Sequence, residues 1–117
     1  MEDYYVRRVE SRDHLQYCTL LDQIGKTLTR ENVDDMKFLS RDHVKPRSIL
    51  YEVFTGEQML ALLEGQHLLA ENSLVFLQML SYYIGRLDIY NMVVEFRKRR
   101  QRQLLRQGYD ISPDYQS

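Results

Sequence analysis

The sequence predicts an all-α protein, a six-helix antiparallel bundle with a basic helical extension at its C-terminus. The main observation is the stretch of residues 73–88, in which apolar side chains occur almost all round a helix turning by about 100° per residue. A helix of that kind must be enclosed by other helices. The second observation is that amphipathic runs lie on both sides of this stretch, separated by residues typical of helix ends. We therefore expect residues 73–88 to form the centre of the bundle.

The totals fit one globular domain. A chain of 117 residues with 44% hydrophobic and 28% charged residues can bury an ordinary core without disulfides or metals. No apolar run approaches the roughly 18 to 20 residues of a membrane span, and the acidic start lacks the apolar stretch of a secretion signal. The single cysteine, Cys18, excludes an internal disulfide. We expect a cytoplasmic protein, with the nucleus as a second reducing compartment that fits.

The first helix is predicted over residues 14–28, after a leader of residues 1–13. The leader is polar apart from four apolar side chains that follow no period, so we expect it to be flexible. Because Cys18 lies on the apolar stripe of the helix and no catalytic signature surrounds it, we predict it to be a small core residue. The stripe consists of Leu15, Cys18, Leu21 and Leu28, widened by Leu20 and Ile24.

The second predicted helix, Arg30–Ser40, contains an aromatic residue outside its apolar stripe. Val33, Met36 and Leu39 lie within about 120° of one another and define the buried stripe. Phe38 lies about 160° from the centre of that stripe, so it is predicted to face outward. An exposed aromatic residue needs no function. The alternative is that Phe38 fills a pocket on a partner, as residues that dominate interface energies do.

Residues typical of helix ends divide the rest of the chain. Residues 41–47 are a polar loop containing a proline, and residues 48–54 are predicted to form a short, irregular helix. Thr55 and Gln58 fit a capping box that starts a helix ending at Gly65. The remaining caps are Thr29 before the second helix, Asn72 or Ser73 before the central helix, and Gly85 after it.

A sixth helix is predicted after Asp88 and continues into a basic run. Residues 97–106 contain six arginines or lysines and can stay helical, and residues 108–117 are predicted to be a linker. We therefore assign residues 14–100 to the domain and residues 101–117 to the basic extension and linker. The apolar face of the sixth helix consists of Ile89, Tyr90, Val93 and Phe96.

The net charge of −1 hides an uneven distribution. Residues 1–85 contain thirteen acidic and nine basic residues, and residues 86–117 contain four acidic and seven basic residues. Opposite charges at the two ends favour contacts between copies of the chain or its relatives. The basic run could bind nucleic acid, but no aromatic residues interleave with it for base stacking. A solvated helix extension is favoured, and nucleic-acid or nuclear association is the alternative.

No catalytic set is recognisable. His14, His43 and His67 lie on different elements, with no cysteine or carboxylate at a metal-ligand spacing such as HExxH or CxxC. The glycines are scattered and build no phosphate-binding loop. We expect a protein that is not an enzyme and that needs no cofactor, metal or small-molecule substrate.

Several groups of residues, in this order and spacing, match a known family. From about Leu20 to Arg100 the chain resembles a death effector domain. It looks most like the first of the two tandem death effector domains of caspase-eight-type initiator procaspases and of their catalytically inactive inhibitor relatives. The matching groups are Met36-Lys37-Phe38-Leu39-Ser40, Leu62-Leu63-Glu64 with Leu69, Glu71-Asn72-Ser73-Leu74 and Arg86-Leu87-Asp88-Ile89.

The resemblance implies a six-helix death fold that works by homotypic association. Such domains form oligomers or filaments with one another and bring initiator caspases together in apoptotic or immune signalling. The partners it implies are the adaptor of death receptors, initiator procaspases and their inhibitor relatives. A second death effector domain or a protease domain would lie beyond Ser117.

The resemblance also implies the site residues. The family's charge triad joins an acidic residue early in the second helix to an arginine and an aspartate, which match Arg86 and Asp88. The acidic position matches Asn32, which carries no charge, and Glu31 and Asp35 are the alternatives.

The family's exposed apolar patch matches Phe38 and Leu39, so the resemblance and the helical period agree on Phe38. Arg86 and Asp88 can also be interpreted as purely structural residues. Asp88 would then cap the sixth helix and Arg86 would neutralise it.

Overall fold

The computed structural model describes residues 2–106 and 108, with side chains from residue 12 onward. Within these residues the chain forms α1 (Glu2–Thr27), α2 (Arg30–Ser40), a 3₁₀ helix (Arg47–Glu52), α3 (Gly56–Gly65), α4 (Val75–Tyr83) and α5 (Leu87–Arg106). This part of the chain contains no β-strand. The prediction of an all-α, six-helix fold is confirmed, and the predicted sixth helix corresponds to α5.

One apolar core joins the five α-helices. Each fully buried aliphatic side chain contributes about 1.5–3 kcal/mol to the free energy of unfolding. Most of the core comes from residues with a helical spacing, but Val53, Leu69 and Leu74 come from the segments between helices. The core residues in the helices are Tyr17, Leu20, Ile24, Val33, Met36, Met59, Leu60, Leu63, Leu77, Leu80, Ile89, Val93 and Phe96.

The start and the buried face of α1 differ from the prediction. The helix begins at Glu2 and not at His14, so the segment predicted as a leader belongs to α1 from its second residue. Leu15 and Cys18 are exposed, which corrects the prediction that Cys18 is a core residue. The stripe is rotated because Tyr17 is buried instead, and its hydroxyl donates to Glu64 Oε2 at 3.0 Å. Burial and this hydrogen bond raise the pKa of Tyr17.

Two glycines let α1 and α3 cross closely. A Cβ atom at Gly56 would overlap the carbonyl oxygen of Gly25 and lie 2.9 Å from Leu28 Cβ. Only glycine therefore fits at Gly56 without a shift of one of the two helices. This crossing fixes the C-terminal end of α1, which contributes a carbonyl oxygen to the site described below.

Two of the predicted helix starts have the expected capping boxes. Thr29 Oγ1 accepts from the Asn32 N–H, and Asn32 Oδ1 accepts from the Thr29 N–H. Thr55 and Gln58 make the same reciprocal pair before α3. The predicted cap of α4 is wrong, because its N-cap is Leu74, which has no side-chain hydrogen bond, and not Asn72 or Ser73.

The central helix is not enclosed on all sides. Leu77, Leu80 and Ser81 of α4 are buried, as predicted for a core helix. However, four apolar or aromatic residues of the same helix are exposed, namely Val75, Met79, Tyr82 and Tyr83. The prediction that other helices enclose the central helix is therefore wrong for this side of α4, which the described helices leave exposed.

The basic run is helical up to Arg106 and is attached to the bundle. Arg100 forms an ion pair with Asp13 of α1 at 2.9 Å, and Arg97 donates to Gln78 Oε1 of α4 at 2.7 Å. The predicted linker of residues 108–117 lies outside the described residues apart from Gly108. Among the helices that the structure describes, none combines the length and the apolarity needed to cross a membrane.

Candidate functional site

The turn between α4 and α5 positions Arg86. Gly85 has a φ of 78°, a left-handed conformation that glycine adopts without strain. The Gly85 and Arg86 N–H groups donate to the carbonyl oxygens of Tyr82 and Ser81. These two bonds form a Schellman motif, which ends α4 as predicted and leaves Arg86 immediately before α5.

The Arg86 guanidinium links the ends of three helices. Its Nε and Nη2 atoms donate to the two carboxylate oxygens of Asp88 at 3.0 and 2.8 Å. Its Nη1 atom donates to Asn32 Oδ1 at 2.7 Å and to the Thr27 carbonyl oxygen at 2.9 Å. Thr27 ends α1, Asn32 lies in the first turn of α2, and Asp88 lies in the first turn of α5. We call these four residues the Arg86 cluster.

Both charges of the cluster are present at neutral pH. The hydrogen bond from Arg86 lowers the pKa of Asp88 to about 2, and the Ile89 N–H adds to this effect. The same side-chain bond raises the pKa of Arg86. The Arg86 side chain is 21% exposed and that of Asp88 is 62% exposed. The cluster therefore presents to solvent mainly a carboxylate whose charge is balanced at short range.

The third position of the charge triad is occupied by an amide. Asn32 Oδ1 accepts from both Arg86 and the Thr29 N–H, so one oxygen caps α2 and binds the guanidinium. Glu31 and Asp35 are exposed, and within residues 12–106 neither side chain forms a hydrogen bond or an ion pair. Of the three candidates from the sequence, the structure brings only Asn32 to Arg86.

Phe38 faces outward from α2, as predicted. Its side chain is 63% exposed, and the Arg41 guanidinium carbon lies 3.9 Å from the ring centroid. Arg41 also donates to the Phe38 carbonyl oxygen at 3.0 Å, which fixes the cation over one face of the ring. Leu39, predicted on the buried stripe, is 39% exposed and contributes apolar surface beside Phe38 in the chain.

A second half-exposed aromatic residue lies beside α2. Phe54 has the Arg30 guanidinium 5.3 Å and the Lys37 ammonium 5.5 Å from its ring centroid. Lys37 also donates to the Val53 carbonyl oxygen at 2.8 Å. This arrangement was not predicted, because Phe54 lies in a segment too short for a periodicity to be read.

The basic run of residues 97–106 is only partly free to bind a ligand. Arg97 and Arg100 are held by Gln78 and Asp13, and Lys98 lies 3.7 Å from Glu95. The remaining cations of residues 97–106, which form no ion pair or hydrogen bond within the described part of the chain, are Arg99, Arg102 and Arg106.

The histidines and the cysteine form no site of their own. His14 Nε2 lies 3.4 Å from Cys18 Sγ on the exposed face of α1, and His43 packs edge-on against Phe76. No group of three metal-ligating side chains occurs among residues with described side chains.

A comparison with protein-family models identifies the family of the chain. The model of the death effector domain matches residues 17–99, which include the Arg86 cluster and Phe38. The chain belongs to the death effector domain family. Death effector domains are interaction modules without enzymatic activity, and their partners are homotypic. A search of curated proteins finds no match to the chain.

Proposed function

We propose that this death effector domain binds other death effector domains and thereby recruits or regulates initiator caspases in apoptotic or immune signalling. The partners we propose are the adaptor of death receptors, initiator procaspases and their inactive inhibitor relatives. The proposed location is the cytoplasm, with the nucleus as an alternative. The observation that carries the proposal is the exposed ring of Phe38 within the residues that match the family.

Phe38 has the properties of an interface anchor. Aromatic and arginine side chains are enriched among the few residues that carry most of the energy of an interface. The Arg41 guanidinium already covers one face of the ring, so little conformational entropy is lost when the ring enters a pocket. Leu39 enlarges the apolar surface of the same turn.

The Arg86 cluster supports the proposal by fixing the direction of the contact. It holds the first turn of α2 to the ends of α1 and α5, so the helix that carries Phe38 is attached at its N-terminal end. The exposed Asp88 carboxylate and the nearby Glu31 and Asp35 supply charges that orient a partner rather than add much affinity.

A ring that enters a different surface on a neighbour makes a heterologous contact. Contacts of this type repeat without closing unless the rotation happens to close a ring, so they build chains or filaments. We therefore propose that self-association of the domain is open-ended.

The test replaces Phe38 by alanine in the whole chain. We expect Phe38→Ala to weaken co-precipitation with a second death effector domain by about 30-fold or more, since an anchor residue is typically worth about 2 kcal/mol or more. Tyr51→Ala is the matched control, because Tyr51 is also an exposed aromatic residue. Both variants should keep the helical circular dichroism of the wild type. Unchanged binding by Phe38→Ala would remove Phe38 from the proposed interface.

A second candidate is nucleic-acid association through the basic run of residues 97–106. The observation that favours it is that Arg99, Arg102 and Arg106 have no ion-pair partner among the described residues. Binding to DNA should then fall steeply with salt, and the slope should decrease when these three arginines are replaced by glutamine. Arg97 and Arg100 are left intact in this test because they hold α5 to the bundle.

A further inference from the structure

The exposed side of α4 is an uncharged apolar face on a helix whose other side is buried. Val75, Met79, Tyr82 and Tyr83 have exposed fractions between 47% and 68%. Their spacing places them within about 100° of one another around the helix, so they form one continuous stripe. We call these four residues the α4 face. Apolar patches of this kind on a soluble domain mark interaction sites more often than chance.

The α4 face cannot be hidden by rotation of the helix. Leu77 and Leu80 occupy the opposite side and are almost completely buried in the core. Turning α4 to cover the exposed stripe would expose these leucines, at about 1.5–3 kcal/mol for each side chain. The face is therefore a fixed feature of the folded domain.

The aromatic end of the face is ordered before any partner arrives. The Tyr82 ring packs against the Tyr83 ring at 5.7 Å and against the Tyr90 ring of α5 at 5.8 Å between centroids. Leu87, at the start of α5, is also exposed. Tyrosines that are already packed lose little rotamer freedom on binding, which favours association.

The lack of charge on α4 allows the face to pair with a second copy of itself. Among the helices of the described chain, α4 alone contains no charged residue. Two α4 faces can therefore meet without burying a charge or opposing like charges. The exposed side of α2 differs, because a contact through it would have to include the charged side chains of Arg30, Glu31, Asp34 and Asp35. Antiparallel alignment of two α4 helices also places opposite ends of their helix dipoles side by side.

We propose that two copies of this domain pair through their α4 faces around a two-fold axis, with the helices antiparallel. Met79 lies midway along the stripe, so each Met79 meets the Met79 of the second copy. Val75 of one copy then meets Tyr83 of the other. The contact is isologous and closes as a dimer. It is separate from the open-ended contact at Phe38 and, where both form, it joins two growing chains side by side.

Cysteine cross-linking tests the arrangement directly. The full chain carries Cys18→Ser and Phe38→Ala, so that no other thiol is present and the contact proposed for Phe38 is removed. We expect an equal mixture of the Val75→Cys and Tyr83→Cys proteins to give mainly mixed disulfide dimers, at several times the yield of either protein alone. Glu95→Cys on α5 is the matched exposed control. A mixed yield no higher than the control overturns the antiparallel pair.

Sedimentation over a range of concentrations tests the face itself. In the Phe38→Ala background we expect the mass to rise from 14.1 kDa towards about twice that value. Adding Met79→Glu should keep the protein at the monomer mass, while Glu95→Lys should not change the dimer. Circular dichroism verifies that each variant is folded. A protein that stays monomeric without Met79→Glu, or a dimer that survives it, overturns the proposal, and neither outcome bears on Phe38.

Discussion

The two ends of α2 use arginine in opposite ways. At the N-terminal end, Arg86 is surrounded by acceptors from α1, α2 and α5, and all of its contacts lie within the domain. At the C-terminal end, Arg41 covers one face of the Phe38 ring and leaves the side chain 63% exposed. The first arginine stabilises the bundle, whereas we propose that the second prepares a side chain for a partner. On that proposal, stability and binding depend on different residues around the two ends of the same short helix.

Removal of the Arg86 side chain should give the largest effect on stability. Arg86→Ala leaves the Thr27 carbonyl oxygen, Asn32 Oδ1 and Asp88 without their shared donor. We expect the free energy of unfolding to fall by about 2 kcal/mol, as is typical when one partner of a charged hydrogen-bond network is lost. Urea denaturation of the purified chain measures the change.

The control for that variant is at the other end of the helix. Phe38→Ala removes an exposed side chain and should change the free energy of unfolding by less than about 0.5 kcal/mol. A drop as large as that of Arg86→Ala would mean that Phe38 supports the fold, and the contrast between the two ends would be lost.

Arg41→Ala sharpens the comparison by removing the cation but keeping the ring. We expect binding to a second death effector domain to weaken by about two- to fivefold, since an exposed cation–π contact is worth about 0.5–1 kcal/mol. The loss should be smaller than that of Phe38→Ala in the same co-precipitation or titration experiment. Arg47→Ala is a suitable control, because Arg47 is exposed and pairs with Asp42 instead of an aromatic ring. An Arg41→Ala protein that binds like the wild type would show that the ring acts without its cation.

Asn32→Asp changes the charge of the Arg86 cluster without removing an acceptor. An aspartate at this position keeps the oxygen that caps α2 and adds a negative charge close to Arg86 and to the positive end of the helix dipole. We expect a gain of about 0.5 kcal/mol in the free energy of unfolding, which should decrease in high salt. Asn32→Ala, which loses both bonds, should instead destabilise the domain. A neutral or unfavourable Asn32→Asp would show that Asp88 alone saturates Arg86.

Local sequence signals predicted the parts of the molecule that depend on local geometry. The capping box of Thr55 with Gln58 and the left-handed turn at Gly85 each involve residues only a few positions apart. The outward direction of Phe38 required only the phase of one helix. These features depend little on the packing of other helices, so the sequence was sufficient for them.

The failures concern packing between distant segments. Tyr17 is buried in the core, and its hydroxyl donates a hydrogen bond to Glu64, which is 47 residues away in the sequence. The period of α1 alone instead predicted that Leu15 and Cys18 are buried. The exposed side of α4 was missed for a related reason. A helix that is apolar all round does not show which of its sides a neighbour will cover.

The site shows the same division. The resemblance to the family placed Asn32 at the third position of the triad, but its missing charge left Glu31 and Asp35 as alternatives. Only the distance of 2.7 Å between Arg86 Nη1 and Asn32 Oδ1 distinguishes them. The pairing depends on how α2 and α5 are placed relative to each other, and no local pattern contains that information.

Acidification should reveal the smallest contribution of the Arg86 cluster. The pKa of Asp88 falls from 3.8 to about 2 on folding, so at intermediate pH the unfolded chain binds more protons than the folded one. The stability that Asp88 adds is therefore complete above about pH 4 and is lost as the pH falls towards 2. Because the carboxylate is largely exposed, solvent and salt reduce the effect. The difference in unfolding free energy between wild type and Asp88→Asn should decrease as the pH falls over this range. A difference that does not depend on pH would mean that, within the Arg86 cluster, only Asn32 and Thr27 stabilise the fold.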